Sequence, residues 1–153
     1  MSDQTIVALD AGRSAIKVIS YVQGVQKEIV IPSLVAQWEN ISDEGKAALA
    51  ERETVEIAGQ RYFCGETARI FSGVSTTVGL SDDWHDSIEY RALCLAAIKK
   101  LAHLGVPGLV NPLVIVGTPA KLYQALRTKH QEVTAQTING TVKALSLLSI
   151  TEI

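Results

Sequence analysis

LDAGRSAIKVI, residues 9–19, sets one carboxylate, one glycine and two cations inside a run that otherwise reads as strand. Ahead of it, Thr5 to Leu9 is a short apolar run ending in Asp10. Behind it, after Ala11 and Gly12, the chain resumes with Ile16 to Val22, which alternates loosely. Val22-Gln23-Gly24-Val25 reads as a turn, and Glu28 to Ile31 as a third short strand closed by Pro32. Pieces this close leave no room for crossover helices, so the pattern predicts an antiparallel meander.

The charged turn has two readings. A strand that ends in Asp and runs into Gly suits a phosphate and its metal: Asp10 can hold Mg²⁺ directly or through water, because a hard cation prefers oxygen. Gly12 permits a tight bend in which successive amides face an anion, Ser14 adds a hydroxyl, and Lys17 adds a mobile positive charge. The same residues also suit a plain surface hairpin in which Asp10 satisfies local amides and Lys17 is solvated. The join to an apolar strand favours the ligand site, since ligands in open sheets gather near strand ends. Neither G-x-G-x-x-G nor G-x-x-x-x-G-K-[ST] occurs, so any nucleotide site follows a different pattern.

Further along, Ser33 to Gly79 loosens in pattern and reads as an insertion or small subdomain. Ser42 to Ala50 is polar and alanine-rich, an exposed helix or a mobile loop. Thr54 to Ile57 and Arg61 to Cys64 form a hairpin around Gly59, and Gly65 to Phe71 a short helix with Glu66 in its first turn. The clearest helix follows, capped by Ser81 or Asp83, with Trp84, Ile88, Ala92, Leu95, Ile98 and Ala102 at helical spacing and Gly105 and Pro107 as its stop. Leu113 to Val116 reads as a strand, Lys121 to Glu132 as a helix opened by Thr118 or Pro119, and Thr141 to Ile150 as a final strand or strand pair. Helix, strand, helix after a meander predicts an α/β fold, with Leu113 to Val116 parallel to the first strand and helices packed on the sheet.

Bulk composition narrows the function classes. A formal net charge of -2 and 5% aromatic residues offer neither the field nor the stacking surface for direct nucleic acid binding. No apolar run approaches the roughly 18 residues of a membrane span, and the start, MSDQTIVALD, lacks the basic flank of an export signal. A soluble, cytoplasmic protein is expected. Cys64 and Cys94 read as small buried hydrophobes rather than a disulfide or metal site. His85, His103 and His130 have no metal-ligand spacing and read as helix surface or local capping. The serines and threonines around Gly73 form no nucleophile elbow. Trp38 and Trp84 read as packing at the margin of the core.

Asp10 to Lys17, DAGRSAIK, resembles the first phosphate loop of the actin, sugar kinase and Hsp70 superfamily. In order along the chain follow P-S-L at Pro32 to Leu34, G-Q-R-Y-F-C-G-E-T-A at Gly59 to Ala68, and V-G-T-P-A-K-L-Y at Val116 to Tyr123, with Arg127 beyond. The series is similar to the amino-terminal half of the bacterial actin-like plasmid segregation proteins of the ParM/StbA family, over Ile6 to about Ile150. That resemblance implies half of a ribonuclease H-like ATPase: a three-stranded antiparallel meander extended by a parallel strand, forming one domain over residues 1–153, with residues 33–79 as a small variable subdomain used in filament contacts. It also implies ATP and Mg²⁺ bound between two similar domains, self-association into filaments, and plasmid segregation through an adaptor on centromeric DNA.

Residue by residue, the resemblance makes Asp10 the organiser of Mg²⁺ and its waters. Gly12, Arg13 and Ser14 surround the β- and γ-phosphates, largely through backbone amides, and Lys17 reaches the phosphates. Arg13 departs from the pattern, standing where many relatives carry a small or uncharged residue. Glu152 is the candidate for the water-activating position. The family's second half supplies another D-x-G loop, the adenosine pocket and the facing wall, for which 153 residues have no room; weak Mg-ATP binding and negligible turnover are therefore expected of this chain. Rival readings are a catalytically inactive domain that binds or caps filaments, and a fragment of a small-molecule kinase of the same superfamily. Tyr62 to Ala68 and Thr118 to Tyr123 argue against the kinase.

Overall fold

A computed structural model describes residues 4–73, 87–109 and 112–116. Strands β1 (Ile6–Ala11), β2 (Ala15–Val22) and β3 (Val25–Pro32) form the expected antiparallel meander. Strand β7 (Leu113–Val116) adds to β1 in parallel, Ile6 opposite Leu113 and Leu9 opposite Val116, giving the order β3-β2-β1-β7. Alternation decides the faces: Val7, Leu9, Ile16, Val18 and Ile31 are buried, while Ile6, Asp10, Lys17 and Val30 lie on the open face. The β2–β3 turn has Gln23 and Gly24 at φ 50° and 77°, the left-handed pair that a two-residue hairpin turn requires.

A second sheet, ordered β4-β6-β5, is built from β4 (Val35–Gln37), β5 (Thr54–Ile57) and β6 (Gln60–Cys64). The stretch of open alternatives, Ser42 to Ala50, is a helix, α1 (Glu44–Glu51), because the Asp43 side chain accepts the Lys46 amide at 2.8 Å and caps it. Helix α2 (Gly65–Ser72) follows β6 directly and stops at Gly73, φ 65°. Leu34, Ala50, Phe63 and Ala68 form a small core between these helices and the sheet. Trp38 sits at its margin, 6.5 Å from the Phe63 ring, with the Arg61 guanidinium stacked 4.6 Å over the indole.

Helix α3 (Ile88–His103) lies against both sheets. Two expectations change here. Its cap is Ser87, whose Oγ accepts the Tyr90 amide at 3.1 Å, four or more residues beyond the capping serine or aspartate expected from sequence; Ser81, Asp83 and Trp84 lie outside the described residues. Nor does it carry a single apolar stripe. Ala92, Leu95 and Ile98 are buried as expected, but so are Leu93, Cys94, Ala96 and Ala97, while Ile88 is 41% exposed. A helix buried nearly all round is one enclosed by more than one partner, and among the described residues α3 contacts strands of both sheets. Gly105 at φ 88° ends it, with its amide on the Ala102 carbonyl (3.0 Å) and the Val106 amide on Leu101 (3.3 Å), a Schellman closure.

Two lysines of α3 fasten the second sheet. Lys99 Nζ donates to the carbonyls of Thr54 (3.0 Å) and Glu51 (3.3 Å). Lys100 Nζ lies 3.4 Å from Glu53 Oε2, an ion pair without hydrogen-bond alignment, while Glu53 Oε1 accepts from Thr67 Oγ1 at 2.9 Å. Glu53 leans over Gly65, where a Cβ would stand 2.5 Å from its Oε2 and 3.2 Å from the Ile31 Cβ, and the φ of 62° there suits the glycine of G-E-T-A. Among the described residues no helix is long and apolar enough to cross a membrane. The expected elements at Lys121 to Glu132 and Thr141 to Ile150 lie outside the described residues.

Candidate functional site

The charged turn occupies residues 12–14, where β1 passes into β2. Because β1 and β7 run parallel, with Leu9 beside Val116 and β1 continuing two residues further to Ala11, the turn stands beyond the carboxyl-terminal end of β1, on the side where β7 also ends. The carboxyl end of a strand is the usual position of a ligand site in such sheets. Asp10 and Lys17 are directly opposite in the β1–β2 ladder, so their side chains leave the same open face. That register brings the carboxylate and the ammonium expected at one site to one place. Lys17 also lies diagonal to Glu28 of β3, with Nζ 4.0 Å from Oε1; both side chains are about half exposed, so the pair is weak and leaves the lysine mobile.

Gly12 is fixed by sterics. A Cβ there would lie 2.7 Å from the Ala15 carbonyl oxygen, closer than side chains tolerate, so the bend excludes every other residue without a shift of the backbone. Arg13 and Ser14 are exposed at its tip. The turn is also held from below, by a residue that pattern reading did not give a role. Ser33, fully buried, donates from Oγ to the Gly12 carbonyl at 2.8 Å and from its amide to the Ser14 carbonyl at 3.0 Å. The available signal was the small polar residue between the closing proline of β3 and an apolar leucine, a position that demands a partner once buried.

The donor set suits a nucleotide phosphate with its cation. Asp10 supplies hard oxygen, the glycine-limited bend leaves room for close backbone approach, and Lys17 supplies charge. Among the described residues no three acidic, histidine or cysteine side chains converge as a metal site of their own. Asp10, Gly12, Arg13, Ser14 and Lys17 are thus gathered at one turn, whereas Glu152 lies outside the described residues.

A family model for the amino-terminal domain of actin-like proteins matches residues 8–147. The chain belongs to that actin-like family. Two solved structures share its fold: the apo psk41 ParM protein, 20% identical with a TM-score of 0.58 over 88% of this chain and 42% of that one, and AlfA from the B. subtilis plasmid pLS32, in its filament structure, 18% identical with a TM-score of 0.59 over 87% of this chain and 46% of that one. No curated protein matches the sequence significantly. At these identities the likeness establishes the actin-like ATPase fold, and this actin-like domain spans less than half the length of either structure.

Proposed function

We propose that the chain is the phosphate-gripping half of an actin-like ATPase that forms filaments in an ATP-dependent manner and segregates plasmid DNA in the cytoplasm. One observation carries the reading: Asp10 and Lys17 are cross-strand partners beside a bend that only glycine permits, at the carboxyl ends of two parallel strands. Family membership supports it, and the filament of AlfA supports self-association as the mode of action. Mg-ATP, when bound, supplies the phosphoanhydride whose cleavage would time filament turnover. Asp10 holds the cation and its waters, Lys17 neutralises phosphate charge, and the Gly12-Arg13-Ser14 backbone fixes the phosphates against the strand ends. Residues 33–79 serve as the small subdomain in subunit contacts, an adaptor rather than this chain reaches the DNA, and Glu152 is the candidate for orienting water.

The test is calorimetric titration with Mg-ATP together with a phosphate-release assay. The 153-residue chain is expected to bind weakly and turn over negligibly, since it spans less than half the length of either structure it resembles. Asp10→Ala is expected to weaken Mg-dependent binding at least about tenfold, on the ~1.5–3 kcal/mol scale of a charge-assisted contact, while circular dichroism and Tm stay near wild type. A folded Asp10→Ala protein with unchanged Mg-ATP affinity contradicts the assignment.

A further inference from the structure

We infer that Ser33 is a positioning residue that couples the phosphate turn to the second sheet. The inference rests on the nucleotide reading of that turn. Ser33 grips it at two points, Oγ on the Gly12 carbonyl and its amide on the Ser14 carbonyl, one on each side of Arg13. In a trans peptide the C=O and the following N–H point in opposite directions, so anchoring the Gly12 carbonyl on Ser33 sets the direction of the Arg13 amide. The orientation of the turn's backbone therefore depends on Ser33 as well as on the steric limit at Gly12.

The same residue begins the passage into the second sheet. Next to it, the Leu34 amide closes a tight turn on the Pro32 carbonyl at 2.8 Å, and the Leu34 carbonyl accepts the Gly65 amide at 2.8 Å, at the first residue of α2. The Leu34 side chain is buried with Phe63 and Ala68. Hydrogen bonds joined by the Ser33–Leu34 peptide thus connect the turn to the first residue of α2, directly after β6. A displacement of the turn by bound phosphate must move Ser33, which cannot shift without disturbing Leu34 in its core. Phosphate occupancy and the order of the β4-β6-β5 sheet are consequently linked, and by reciprocity whatever orders that sheet strengthens phosphate binding.

Ser33→Ala removes the hydroxyl and keeps the amide contact. Ser20→Ala is the matched control: Ser20 is equally buried and donates from Oγ to the Ile6 carbonyl at 2.7 Å, within the same sheet but away from the turn. Both variants are expected to lose similar stability, yet only Ser33→Ala should weaken Mg-ATP binding, by about five- to tenfold. It should also speed amide hydrogen exchange both in residues 12–15 and at residues 63–66, and Ser33→Thr, which keeps the hydroxyl, should restore both readouts toward wild type. Equal affinities for wild type and Ser33→Ala, or equal losses in Ser33→Ala and Ser20→Ala, overturn the inference and leave the nucleotide reading intact. A wild-type chain that does not bind Mg-ATP overturns the nucleotide reading, and the inference falls with it.

Discussion

Cys64 and Cys94 are enclosed in the main core at 0% and 1% exposure, and enclosure determines their chemistry. Burial pushes the Cys94 thiol up to about 12, against a hydrogen bond from Tyr90 that acts the other way. Cys64 is raised still further, first by burial and then by the Glu53 charge, with Lys99 opposing. Both remain protonated in the folded protein where an unfolded chain would ionise them near 9.0. Above that pH the unfolded chain binds fewer protons than the folded one, so stability is fully present below about 9 and falls as pH rises toward 12. The expected slope is about 1.4 kcal/mol per pH unit for each thiol. Urea titrations from pH 8 to 10.5 should therefore show a steeper loss for wild type than for Cys64→Ala/Cys94→Ala, and native thiols should resist a thiol-specific reagent at pH 8. Rapid labelling of the native protein contradicts the enclosure. The reading of both cysteines as buried hydrophobes was available from spacing, because no second ligand stood near either. That Glu53 would lie beside Cys64 was not, since the contact joins the end of α1 to the end of β6.

Turn chemistry decides the local elements, and one turn departs from its own rule. The β5–β6 hairpin places Ala58 at φ 52° and Gly59 at φ 79°. Such a turn needs two left-handed residues, and alanine pays about 1–2 kcal/mol in that conformation because its Cβ crowds the following carbonyl. Ala58→Asn, which tolerates the left-handed region and creates the favoured Asn-Gly pair, is expected to stabilise the domain by about 0.5–1 kcal/mol and raise Tm by about 1–4 °C. Differential scanning calorimetry reads this directly, and an unchanged or lowered Tm contradicts it. The meander, β5, β6, β7 and the hairpin turns were legible because alternation and glycine act over a few residues, whereas the three-residue β4 (Val35–Gln37) was too short to show a pattern. The start of α3 was not: several serines and aspartates near it make acceptable caps, and which one serves depends on where the helix meets the sheets.

Across the whole molecule, the two sheets share one core. Val55, Ile57 and Cys64 of the second sheet belong to the same buried cluster as Val7, Leu9, Ile16 and Val18 of the first, with α3 between them. The domain should therefore unfold as one unit. In a Trp84→Phe background, urea transitions followed by Trp38 fluorescence, which reports the second sheet, and by far-UV circular dichroism should coincide; separate midpoints would contradict a common core. Leu9 to Ile19 carried much of this from the start. Sequence by itself determined the meander, the parallel partner of β1, and the bend at Gly12, since alternation, spacing and the missing Cβ are properties of neighbouring residues. Only the tertiary structure decided that Asp10 and Lys17 stand opposite one another, that Lys99 and Lys100 fasten the second sheet, that α3 packs on both sheets, and that Ser33 holds the turn at residues 12–14. Each of these is a contact between residues distant along the chain or a register set by packing, and such contacts leave no periodicity to read.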